Sequence, residues 1–142
     1  MIASFRLASL ISLSLFLAAC GAPDNSASGA AAAKTTTVED RGRMTFSASC
    51  AVCHSVKDPS DPGYSPLVGP SLFAVVGAPA GHVDNYSYSK AMRESGLTWD
   101  EATLEAFLEN PQRTVPRTRM AYAGEPDPGK RAAIIAFLKA QK

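Results

Sequence analysis

A chain of 142 residues, with 14 Lys and Arg against 13 Asp and Glu, has room for one domain and carries almost no net charge. That balance excludes a basic nucleic-acid binder and a protein drawn over long range to acidic partners. Three cysteines in the whole chain are too few for a disulfide framework.

The first segment, Met1 to Ala19, reads as a secretory signal. Arg6 supplies the positive start, and Leu7 to Leu17 is apolar with interspersed Ser, too short for a comfortable membrane span. Its end, Leu17-Ala18-Ala19-Cys20-Gly21, resembles the lipobox of bacterial lipoproteins. In that family the cysteine is acylated and becomes the first residue after cleavage, so Cys20 is the expected lipid attachment point. An ordinary small-residue cleavage site with an incidental cysteine is the alternative. Either way the chain is expected outside the cytoplasm, on the periplasmic side of a bacterial membrane if lipid-anchored. Loss of Arg6 with the leader leaves 13 basic and 13 acidic side chains.

Residues 20–37 then form a linker of Ala, Ser, Gly and Thr without a large apolar side chain. Such a segment cannot bury enough surface to offset its ordering entropy. As a flexible tether it reaches about 20–25 Å on average and roughly 55–60 Å at full stretch.

Residues 38–142 are expected to be all-α, because no period-two alternation stands out and several stretches carry helix punctuation. A first helix is predicted over Val38 to Ser49, with Val38, Gly42 and Phe46 on one face. Gly42 costs a helix interior about 1 kcal/mol relative to Ala, and a close approach by another backbone would explain it. A short helix is predicted from about Ser87 to Ser95, stopped by Gly96. Thr98-Trp99-Asp100-Glu101 reads as a capping box for a helix that buries Leu104, Phe107 and Leu108 and ends at Asn110-Pro111. Asp127-Pro128 opens the last helix, which runs to about Ala140 with Ile134, Phe137 and Leu138 as its apolar stripe. Long loops rich in Gly and Pro join these helices, as expected of a chain that wraps a ligand.

The chemistry lies in Cys50-Ala51-Val52-Cys53-His54. C-x-x-C-H is the attachment pattern for c-type haem. Two thiols at this spacing can add to the two haem vinyl groups, while the neighbouring imidazole ligates the iron. A zinc site would need a second Cys or His pair at comparable spacing. The remaining candidates, Cys20 and His82, are far apart in sequence and unpaired. With two cysteines under haem and one under lipid, no disulfide is expected.

From Val38 to Gln141 the chain resembles class I cytochrome c, the mitochondrial and bacterial monohaem type. The shared features come in family order: Gly42 and Phe46, CAVCH, Gly69-Pro70, Tyr88, Trp99, Leu-Glu-Asn-Pro111, the loop to Met120, and the terminal helix. The resemblance implies four to five helices around one covalent haem c, with the first and last helices crossing. It implies His54 and Met120 as the iron ligands and Pro70 as acceptor of the His54 ring proton. Tyr88 and Trp99 are implied as propionate donors, and Thr118 as a hydrogen-bonding residue near the methionine loop. His82, the competitor for the distal site, is expected to be solvated or near a propionate.

Four departures from the family pattern stand out. Phe107 takes the place of a tyrosine near the methionine sulfur, and Ala78 that of an arginine near a propionate. Arg117 stands where a glycine is usual, and the loop from Lys57 to Leu67 is longer. Arg113, Arg117 and Arg119 could form a docking patch or lie on an ordinary solvated loop.

The expected function is a membrane-tethered electron carrier rather than an enzyme. Its implied partners are a quinol–cytochrome c reductase and a terminal oxidase or reductase, with no nucleic acid and no small-molecule substrate. A permanent haem subunit of a larger oxidoreductase and a haem protein with an open axial site are the alternatives.

Overall fold

The structure, a computed structural model, describes residues 36–142. The expected leader, Cys20 and the linker as far as residue 35 lie outside the described residues. Among those described there are five helices and no strand: α1 (Val38–Ser49), α2 (Lys90–Arg93), α3 (Glu101–Glu109), α4 (Pro111–Thr114) and α5 (Pro128–Lys139). None of these helices is long and apolar enough to cross a membrane.

Helix α1 starts where Thr37 accepts the Asp40 amide, while the Asp40 carboxylate accepts the Thr37 amide. This reciprocal capping satisfies two N–H groups that a helix start otherwise leaves without partners. Hydrogen bonds from Thr37 hold the exposed Asp40 carboxyl below the usual range.

The first and last helices cross, and Gly42 sets how closely. A Cβ at this position would lie 1.9 Å from the Ala133 carbonyl oxygen of α5. One turn further, Phe46 meets Phe137 with ring centroids 5.2 Å apart. Val38, expected on the same buried face, is instead 46% exposed. It precedes Gly42, where the two helices meet, by a full turn.

Helix α5 keeps its expected start, with Asp127 accepting the amides of Gly129 and Lys130. Ile134, Phe137 and Leu138 are buried, joined by Ala133 and Ile135. The core also takes Leu104, Phe107 and Leu108 from α3.

Helices α2 and α3 differ from expectation in their bounds, and a further short helix follows α3. Helix α2 is a single turn, capped by Ser89 and ended by Glu94, with Gly96 beyond it at φ +64°. Helix α3 is capped by Asp100, whose carboxylate accepts the Thr103 amide. Thr98 is drawn away from the cap position by an isolated antiparallel bridge to Pro79. Asn110-Pro111 ends α3 as predicted but also starts α4, because the Asn110 side chain caps the new turn at the Arg113 amide.

Replacing Gly42 with Ala tests the crossing. On helix propensity alone the change stabilises by about 1 kcal/mol. With backbone in the way it is expected to destabilise by roughly 1–3 kcal/mol, read as a lower midpoint in denaturant unfolding.

Candidate functional site

Helix α1 leads directly into the CAVCH turn. The Cys50 amide closes the helix on the Phe46 carbonyl at 2.8 Å, and the amides of Cys53 and His54 both return to the Cys50 carbonyl, at 3.0 and 2.9 Å. Cys50 and Cys53 are free thiols, both partly buried. Burial, reinforced by neighbouring Cys53, pushes the Cys50 thiol up to about 11.

The loop that follows seats the imidazole. His54 Nδ1 lies 2.8 Å from the Pro70 carbonyl oxygen. A carbonyl can only accept, so Nδ1 carries the proton and Nε2 keeps its lone pair for a metal. Burial lowers the His54 pKa, with the bond to Pro70 working in the opposite direction.

Gly69 leaves room for the ring: a Cβ there would sit 2.4 Å from His54 Cε1. Its amide donates to the Cys53 carbonyl at 2.8 Å. The buried Ser71 hydroxyl donates to the Lys57 carbonyl at 2.6 Å, which closes the longer Lys57–Leu67 excursion at its base.

These groups open onto a cavity of about 330 Å³, within the usual size range of cofactor sites. Its lining includes every site residue expected from Cys50 onward: Cys50, Cys53, His54, Pro70, Tyr88, Trp99, Thr118 and Met120. Trp99 is buried against Phe107 with centroids 4.9 Å apart. The Tyr88 hydroxyl accepts the Val83 amide at 3.4 Å, leaving its own proton for another partner. Burial raises the Tyr88 pKa, keeping it a neutral donor.

Thr118 is buried, and its hydroxyl oxygen accepts the Met120 amide at 3.3 Å. Its carbonyl takes a 3.0 Å bond from the Gln112 side-chain amide. The far end of the Met120 loop is fastened by Arg131, which is 7% exposed. Arg131 Nη1 donates to the carbonyls of Glu125 and Pro126 at 2.7 and 2.9 Å, while Nε meets Glu105 at 2.7 Å.

The structure also shows what pattern reading missed. Met92 is buried and lines the same cavity as Met120; a one-turn helix carries too little periodicity to reveal its facing. Met44 is 59% exposed. Both ring nitrogens of His82 are buried without a hydrogen-bond partner among the described residues, so of the two places expected for this side chain, in solvent or near a propionate, it does not take the first. The Tyr86 hydroxyl donates to the Val68 carbonyl at 2.8 Å. Of the arginine cluster, Arg113 is paired with Glu109, Arg117 takes a left-handed backbone at φ +69°, and Arg119 borders the cavity.

The donor set fits haem c. Two thiols, an imidazole with Nε2 available and a thioether share one largely apolar cavity with several hydroxyl and N–H groups. The described residues contain no group of three or more His, Cys, Asp or Glu able to hold a metal ion by themselves, as zinc would require.

No family model matches the chain, but individual proteins do. It is 46% identical over 101 residues to cytochrome c2 of Rhodomicrobium vannielii, covering 71% of this chain and 77% of the relative. The chain belongs to the class I cytochrome c family. It is also 43% identical over 101 residues to cytochrome c2 of Rhodopila globiformis, covering 71% of this chain and 91% of that protein. Among solved structures it resembles cytochrome cH from Methylobacterium extorquens, with TM-score 0.64 and 41% identity over 71% of this chain and 96% of the other. Cytochromes c carry one covalently bound haem c and act as electron carriers rather than enzymes.

Gly69→Ala should push against the imidazole and disturb this seat in the cytochrome. Perturbing groups that orient a metal ligand typically costs about 10-fold or more in metal affinity. The expected outcome is a comparable drop in haem-loaded protein with an altered low-spin absorption spectrum, measured against wild type at equal expression.

Proposed function

We propose that this cytochrome c is a membrane-tethered carrier of single electrons outside the cytoplasm. It would work between a quinol–cytochrome c reductase and a terminal oxidase or reductase. The observation that carries the reading is the meeting of the CAVCH turn and Met120 on one cavity. Haem c, when bound, supplies a one-electron iron couple.

The chain's residues do the rest. Cys50 and Cys53 would hold the group covalently, and His54, its ring fixed by Pro70, would offer Nε2 to the iron. Met120, on the same cavity, would supply a thioether to the iron, a soft ligand that favours the ferrous state. Tyr88 and Trp99 offer donors to a propionate, and Thr118 holds the Met120 backbone. Phe107, Leu104, Ile134 and Leu138 give the cavity an apolar wall. The lipid on Cys20 would keep the domain near its membrane partners, while the linker lets it turn between them.

Two methionines border the cavity, so paired substitutions test the ligand assignment. Met120→Ala should lower the reduction potential, abolish the ferric thioether–iron charge-transfer band and admit carbon monoxide to the ferrous protein. Met92→Ala should retain the band and cost roughly 2–5 kcal/mol of stability as a core truncation. The reverse pattern would assign Met92.

The anchor is tested by mass analysis and membrane partition of wild type and Cys20→Ser. Wild type should begin at acylated Cys20 and sediment with membranes. The variant should carry no acyl group and, once its leader is cleaved, appear in the soluble fraction.

A further inference from the structure

The haem reading gives no role to His82, whose two ring nitrogens are buried without partners among the described residues. The residue follows Gly81, which turns the backbone at φ +81°, and it lines the cavity. Leaving a buried donor or acceptor unsatisfied costs about 1–3 kcal/mol, and native structures seldom do so.

The neighbouring hydroxyls each have a partner of their own, and none is bonded to His82. The Tyr86 hydroxyl donates to Val68, the Ser89 hydroxyl oxygen accepts the Met92 amide, and the Tyr88 hydroxyl accepts the Val83 amide. His82 is the residue on this wall with both polar atoms uncommitted.

Two parts of a haem can satisfy an imidazole: the iron and the propionates. With Met120 on the iron, the propionates remain. They are anionic, and Arg119 is the one Lys or Arg among the described residues lining the cavity. Ala78, at the place the family resemblance gives to an arginine, offers only a methyl group. Its backbone is committed to Val75 and Trp99.

Resting on the haem assignment, we infer that His82 is the hydrogen-bond donor to a haem propionate and thereby a positioning residue that tunes the reduction potential. A propionate carboxylate stabilises ferric iron through its negative charge. A donor bonded to it draws that charge away from the iron and favours the ferrous form. The direction follows: removing the donor lowers the potential.

The test uses the full haem-loaded chain as wild type, His82→Phe and His82→Gln. His82→Phe fills the space without a donor, and His82→Gln returns an N–H. Expected for His82→Phe is a lower reduction potential and a shifted propionate mode in resonance Raman spectra. His82→Gln should restore most of both, with the thioether–iron band the same in all three. An unchanged potential and propionate mode in His82→Phe would overturn the inference. Loss of the low-spin ferric spectrum in that variant would overturn it too, by making His82 an iron ligand. Acid–acetone extraction of wild type tests covalent haem attachment separately, so failure of that reading is distinguishable from failure at His82.

Discussion

The contact on which the rest of the structure depends is the approach of α1 to the Ala133 carbonyl of α5. A helix can come so close to another backbone only where it lacks a Cβ, and Gly42 supplies that gap. The crossing then fixes the direction in which α1 ends. Phe46, locked on Phe137 one turn later, is also the residue whose carbonyl receives the Cys50 amide. The positions of both thiols and of the His54 imidazole thus follow from a glycine that lies outside the cavity lining. The helix-propensity cost of that glycine, about 1 kcal/mol, is offset by apolar burial along α5.

A second constraint acts from the other side. Arg131 projects from the start of α5 and gathers Glu105, Glu125 and Pro126. Nearby, Gly124 lies at φ +106°, and a Cβ there would fall 2.1 Å from the Glu109 carbonyl. Two close approaches of backbone at glycines, Gly42 to Ala133 and Gly124 to Glu109, thus join α1 to α5 and the Met120 loop to α3. The cavity is shaped by helix contacts first and lined by chemistry second.

Much of this was legible in the sequence, for identifiable reasons. Helix α5 was readable because Asp127-Pro128 is punctuation that works locally, independent of tertiary contacts. Helix α1 was legible differently, from the spacing of Val38, Gly42 and Phe46, with Gly42 anomalous in a helix interior until its contact with α5 explains it. The site motif was legible because covalent haem attachment demands two thiols and an imidazole at fixed spacing. What escaped was set by long-range contacts. Thr98 has good capping chemistry, but its bridge to Pro79 leaves Asp100 to start the helix. Asn110 looked like a terminus and is one, yet its side chain also caps α4. Met92 and His82 lie on segments too short for periodicity to show which way they face, so their place at the cavity emerges only from the fold.

The fastening of the Met120 loop has a consequence for how the protein breathes. Gln112 holds one end through Thr118 and Arg131 holds the other through Glu125 and Pro126. Between them, Met120 has its bond to Thr118, and no backbone–backbone hydrogen bond joins residues 119–124 to other described residues. Such a span can lift without unravelling either helix beside it, at a free energy well below that of global unfolding. If Met120 holds the iron, the coordinate bond is then a main clasp on a span held by few hydrogen bonds. Metal–ligand exchange and local backbone opening become one event, and the rate at which small ligands reach ferrous iron reports the lifetime of a closed loop rather than the stability of the fold.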